Sequence, residues 1–185
     1  MKDERKVRLI QAGFGAVILT LLMQPIFILG YSEFVWLVFL PLILVFALGA
    51  DFKKIPSMII GYICGVLWAM FNNVLVKIFG VFLQFEVANT VATIVLIFII
   101  LTVHENLLSK TVFGNIPALF LGLATTFFSF SATITQIHLI GFFLYGILLT
   151  CALVGGGFAL CSLVFGKEKV LEVFSGIEEK WTIKY

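Results

Sequence analysis

Charged residues punctuate this chain at wide intervals, and the apolar runs between them have the length of membrane crossings. Between Lys110 and Lys167, 56 residues pass without an Asp, Glu, Lys or Arg. At about 1.5 Å per helical residue, that run is far longer than one crossing of a roughly 30 Å hydrocarbon core. It must hold at least two helices joined by a turn. The same pattern along the chain predicts six spans, at about 9–29, 34–50, 56–79, 87–104, 112–131 and 138–165. The second and fourth are the shortest, near the lower limit of about 17 residues for a crossing. The last is long, and Gly155-Gly156-Gly157 is expected to kink or interrupt it. The first apolar run, Leu9 to Ser32, is too long for a signal-peptide core and no small-residue cleavage site follows it, so it reads as a retained helix.

Basic residues orient the spans. With the N-terminus inside, the inner segments 1–8, 51–55, 105–111 and 166–185 hold eleven of the twelve Lys and Arg, leaving Lys77 outside. This positive-inside bias supports an even number of spans with both termini cytoplasmic. The expected organisation is a cytoplasmic N-terminus over 1–8, a transmembrane domain over 9–166, and a cytoplasmic tail over 167–185. In the tail, Val170, Phe174, Ile177 and Trp181 recur at helical spacing, which predicts an amphipathic helix lying at the interface. That helix either stabilises the surface or docks a partner.

Composition agrees. The chain is 62% hydrophobic and 12% charged, with a mean hydropathy of +1.17, against about 25% charged in soluble domains. The class is an all-α polytopic membrane bundle whose first partner is the lipid bilayer. A net charge of +2 gives no reason to expect a nucleic-acid partner. Cys64, Cys151 and Cys161 lie in apolar segments and read as small packing residues. No nucleotide-binding loop, zinc-type histidine pair or nucleophile elbow is present. We therefore expect no enzyme activity, metal or cofactor. No carboxylate sits mid-span, which fits passive conduction better than ion-coupled pumping.

A short repeat runs through the chain. Phe52-x-x-Ile55-Pro56-x4-Gly61 recurs as Phe113-x-x-Ile116-Pro117-x4-Gly122. It relates spans two and three to spans four and five, with equivalent helices pointing the same way, as in a parallel repeat of helical hairpins. Chance is the competing explanation in so apolar a chain. Small residues four apart, at Gly61 and Gly65, Ala118 and Gly122, and Ala152 and Gly156, suit close helix packing inside the bundle or in a homo-oligomer.

Polar side chains inside spans are the candidate chemistry, because lipid penalises them unless they pair or face water. Trp68, Phe71, Asn72 and Asn73 cluster in span three, and Thr125, Thr126 and Ser129 in span five. They either line a polar path, narrowed by Trp68 and Phe71, or bond between helices. Hydroxyls can bond back to their own helix, so the amides are the sharper signal. His104 and Glu105 close span four as a candidate pH-sensitive gate. Gln24-Pro25 marks either a polar site or a kink in span one.

Gly65-Val66-Leu67-Trp68-Ala69-Met70, and the stretch from Phe113 to Phe127, resemble segments of the YcdZ-like bacterial inner-membrane proteins. Ala118 stands where that family tends to have Gly, and Thr125-Thr126 replaces a single Thr. The resemblance covers about residues 35–165 and implies a bacterial inner-membrane location. It carries over no catalytic or ligand residue, since that family's function is itself unknown. The expected function is a channel or facilitator for a small polar solute. The alternative is a non-transporting accessory or assembly subunit that docks a partner through its tail.

Overall fold

A computed structural model describes residues 2–49, 51–130 and 133–173. Among them the regular structure is all helical. The α-helices are α1 (Lys2–Ile28), α2 (Val35–Ala47), α3 (Ile55–Phe79), α4 (Phe85–Ile100), α5 (Ile116–Ser129) and α6 (Gln136–Phe165). Short 3-10 turns at Ser32–Phe34 and Phe52–Lys54 lead into α2 and α3, and α4 runs on into a π-helical segment, Leu101–Leu107. Residues 167–173 form a further helical stretch. Four helical stretches, Glu4–Ile28, Phe52–Phe79, Phe85–Leu107 and Gln136–Phe165, are long and apolar enough to cross a membrane; Ser32–Ala47 and Ile116–Ser129 are shorter.

The short helices are not the pair expected. The fourth apolar run reaches Leu107 because the π segment adds to α4, whereas the fifth begins only at Ile116. Local chemistry sets that start. Gly114 packs against the carbonyls of Leu108 and Ser109, where a Cβ would lie 2.8 and 2.5 Å from the two oxygens. Asn115 then caps α5, its Oδ1 accepting the Ala118 N–H at 3.2 Å. Pro117 falls in the first turn, where no intrahelical N–H is needed. Pro56 plays the same part in α3. Ahead of it, Asp51 accepts the Lys53 N–H at 3.0 Å, and the Lys54 ammonium donates to the Leu48 carbonyl at the end of α2.

The glycine triplet does not interrupt α6, which is helical through 155–157. Packing rather than backbone conformation uses Gly156 and Gly157. A Cβ at Gly156 would lie 2.8 Å from the Phe14 ring, and one at Gly157 would lie 3.3 Å from Gln11. Gln24-Pro25 lies within a continuous α1. Gln24 donates to the Thr20 carbonyl at 3.2 Å and the helix continues to Ile28.

The chain divides into two compact units, residues 1–36 with 147–185, and residues 37–146. In the first, Val7, Cys161 and Val170 form a buried cluster edged by Ile10, Phe158, Phe165 and Val173. Gly166, at φ +87°, turns the chain after α6 so that Val170 reaches this cluster. The apolar stripe of the tail is thus in use at Val170. Its members Phe174, Ile177 and Trp181 lie outside the described residues.

The second unit is built on α3. Its most extensive pairing is with α5, followed by α4. Ala69, Leu96, Ile100, Leu119 and Leu123 are its buried centre. Gly146 of α6 lies against α2, where a Cβ would meet the Val38 carbonyl and lie 2.7 Å from the Pro41 ring.

Candidate functional site

The α3–α5 seam is made by glycine. A Cβ at Gly65 would overlap the Leu119 carbonyl, and one at Gly122 would overlap the Tyr62 carbonyl. A Cβ at Gly61 would lie 2.9 Å from the Asn115 carbonyl. Such backbone contact is the use to which membrane helices put small residues four apart. The contacts also fix direction. Ser57 meets Asn115, Gly61 meets Asn115 and Ala118, and Gly65 meets Leu119 and Leu123, so the two helices run parallel.

Polar groups line this seam at successive levels. At the start of α5, Asn115 donates to the Ser57 hydroxyl at 3.1 Å while its other end caps the helix. Midway, the Tyr62 and Thr125 hydroxyls are 2.9 Å apart. Thr125 directs its hydrogen to the carbonyls of Leu121 and Gly122, so Tyr62 donates. The Tyr62 ring, 1% exposed, stacks on Phe143 with centroids 3.9 Å apart. Thr126 donates to the Gly122 carbonyl at 2.7 Å, and Ser129 to the Thr126 carbonyl at 3.0 Å. The three hydroxyls read as pore-lining are thus bonded to their own helix.

The two amides part company. Asn73 is exposed, and Asn72 is 3% exposed. Asn72 lies two turns beyond Gly65 on the same face, which the parallel register puts level with the last turn of α5. Its Oδ1 is buried and has no hydrogen-bond partner among the described residues. A buried acceptor left unmade costs roughly 1–3 kcal/mol, and native structures keep such groups few.

Trp68 and His104 meet directly. The indole Nε1 donates to His104 Nε2 at 2.9 Å, and His104 Nδ1 lies 2.9 Å from the Phe113 carbonyl. Both ring nitrogens are therefore occupied by groups other than Glu105, which is exposed. The His–carboxylate pair read from adjacency gives way to a His–Trp–carbonyl chain. Leu96, Ile100 and His104 recur every four residues, a spacing that the wide π turn keeps on the buried face. Trp68 also packs edge-on to Phe71, with centroids 5.8 Å apart, and the two border an apolar cleft of about 550 Å³ with Cys64, Leu67 and Ile99. That lining is apolar.

Reading the sequence alone missed Tyr62, Ser57, Asn115 and Phe113. Asn115 carried a signal, since an Asn two residues before a Pro at the start of an apolar run is a cap pattern. The carbonyl of Phe113 carried none. Among the described residues no group of His, Cys, Asp and Glu could hold a metal ion.

No curated protein and no solved structure matches the chain. A family model does match, over residues 10–167, and its description is "Protein of unknown function (DUF1097)". With the match running from α1 to the turn after α6, the chain belongs to the DUF1097 family.

Proposed function

We propose that this protein is a facilitator for a small, uncharged polar solute, and that the solute passes along the far end of the α3–α5 seam. The observation that carries this reading is the buried, unbonded Oδ1 of Asn72. A solute N–H or O–H arriving there would gain a hydrogen bond at a site already desolvated. The absence of Asp, Glu, Lys and Arg from α3 between Lys54 and Lys77, and from all of α5, favours a neutral solute over an ion.

The reading includes six crossings of a bacterial inner membrane with both termini cytoplasmic, supported by the placement of basic residues. It also includes kinship with the YcdZ-like proteins, supported by the segments at 65–70 and 113–127. The fourteen residues of α5 make about 21 Å of helix, short of a roughly 30 Å core. Irregular backbone at membrane depth is tolerated where protein buries it or a water-filled cavity meets it. A water-filled vestibule at one end of α5 is consistent with a solute path. The accessory role has less support, because Val170 of the tail packs within its own chain.

The test is solute flux into proteoliposomes by stopped-flow light scattering, against water, urea, glycerol, short carboxylates and ammonium. Protein-dependent acceleration is expected for at least one neutral solute. Asn72→Leu should slow it about three- to tenfold, the equivalent of one neutral hydrogen bond. No acceleration over empty liposomes, with the protein folded and inserted, would remove the facilitator reading.

A further inference from the structure

The chain from Trp68 through His104 to Phe113 has a consequence for protons that does not depend on which solute moves. An indole N–H can only donate, so His104 Nε2 must present its lone pair to Trp68. A backbone carbonyl can only accept, so Nδ1 must carry the hydrogen directed at Phe113. The pair of contacts therefore fits one species only, the neutral imidazole protonated on Nδ1. A proton added to Nε2 would set N–H against N–H at 2.9 Å with no acceptor between them, and one ring would have to leave.

The surroundings offer the imidazolium no compensation. His104 is 4% exposed, and the indole meets it edge-on, centroids 6.0 Å apart and planes at 80°. An edge-on indole does not offer its π face to the cation. On its own segment Glu105 is exposed, and in the following turn Lys110 is exposed. From α3, Cys64 lies one turn before Trp68, and no Asp, Glu, Lys or Arg lies between Lys54 and Lys77. α5 carries no charged residue. The segment that bears His104 is also one that can change. Its bonds include the π spacing Leu108 N–H to Val103 carbonyl at 2.9 Å, and π turns inside α-helices concentrate at functional sites.

We propose that His104 is a proton-operated clasp. Neutral, it ties the middle of α3 to the π end of α4 and to the turn before α5. Protonated on Nε2, it releases Trp68, a wall of the apolar cleft. Whether release changes flux rests on the facilitator reading; the clasp itself does not.

The experiment uses the full chain with Trp68 as its sole tryptophan, W36F/W181F, and follows its emission from about pH 8 down to the lowest pH at which the fold persists. A sigmoidal change in intensity and wavelength is expected, lost in H104Q and retained in E105Q. A flat titration of the folded parent overturns the clasp, as does a titration that survives in H104Q. Should H104Q not fold, an H138Q protein with 15N-labelled histidine leaves one imidazole to read. The Nδ1–H tautomer at the alkaline end supports the clasp and the Nε2–H tautomer overturns it. Flux recorded alongside keeps the two proposals apart. A clasp that titrates in a protein passing no solute stands while the facilitator falls.

Discussion

Gly65 and Tyr62 lie three residues apart in α3, and both face α5, yet their side chains matter for different reasons. At Gly65 the missing Cβ is what allows backbone to meet backbone, since the Leu119 carbonyl occupies the place it would take. A carbonyl held in a helix cannot step aside, so Gly65→Ala must separate the helices along the seam. Overpacking of this kind costs roughly 1–3 kcal/mol. Tyr62→Phe removes one interhelical hydrogen bond, worth on average about 0.6 kcal/mol in a membrane bundle. It leaves the Thr125 hydroxyl bonded to its own helix and the ring stack on Phe143 in place. Unfolding followed in detergent should therefore show Gly65→Ala as the more destabilised variant. The reverse order would mean that hydroxyl pairing, and not backbone approach, holds the seam. The glycines were legible in the sequence because spacing by four is a local pattern. Tyr62 was not, because its partners are 63 and 81 residues away.

Among the elements, apolar runs announced every helix, but polar residues set where the helices end. The fourth run gained a turn through the π segment, and the fifth lost one to Gly114 and Asn115. Hydropathy cannot register either change, since both depend on how backbone groups find partners. The same limit explains α6, whose glycines read as a kink or a break although Phe14 fills the space beside Gly156 and Gly157. Asn115 offers the sharpest test at this scale. It caps α5 through Oδ1 and ties α5 to Ser57 of α3 through Nδ2. Asn115→Ala should cost about 1–2 kcal/mol, the upper range for a lost cap. Asn115→Asp keeps the cap and removes the donor to Ser57, so it should cost less. Hydrogen exchange at residues 116–119 separates the two effects. Those amides should open in the Ala variant and stay protected in the Asp variant.

For the molecule as a whole, charge and length pull in different directions. The basic residues ask for six crossings, because only an even count with alternating sides leaves Lys77 alone outside. The helices supply four stretches of full length and two short ones. α5 at about 21 Å can still connect opposite faces if the turn before it or the segment after it enters the membrane depth under cover of protein or water. If it does not cross, Lys110 and the segment near Thr133 lie on the same side, and the charge pattern loses its meaning beyond α4. Single cysteines decide between these. In a C64A/C151A/C161A background, F82C, K110C and T133C place reporters in three exposed positions, one after α3, one before α5 and one after it. A membrane-impermeant maleimide added to intact cells should modify F82C and T133C, and should reach K110C only after permeabilisation. Labelling of K110C and T133C from one side alone would make α5 a re-entrant helix. The seam with α3 would then be the floor of a vestibule instead of a wall through the bilayer. Asn72, level with the last turn of α5, would mark how deep that vestibule reaches.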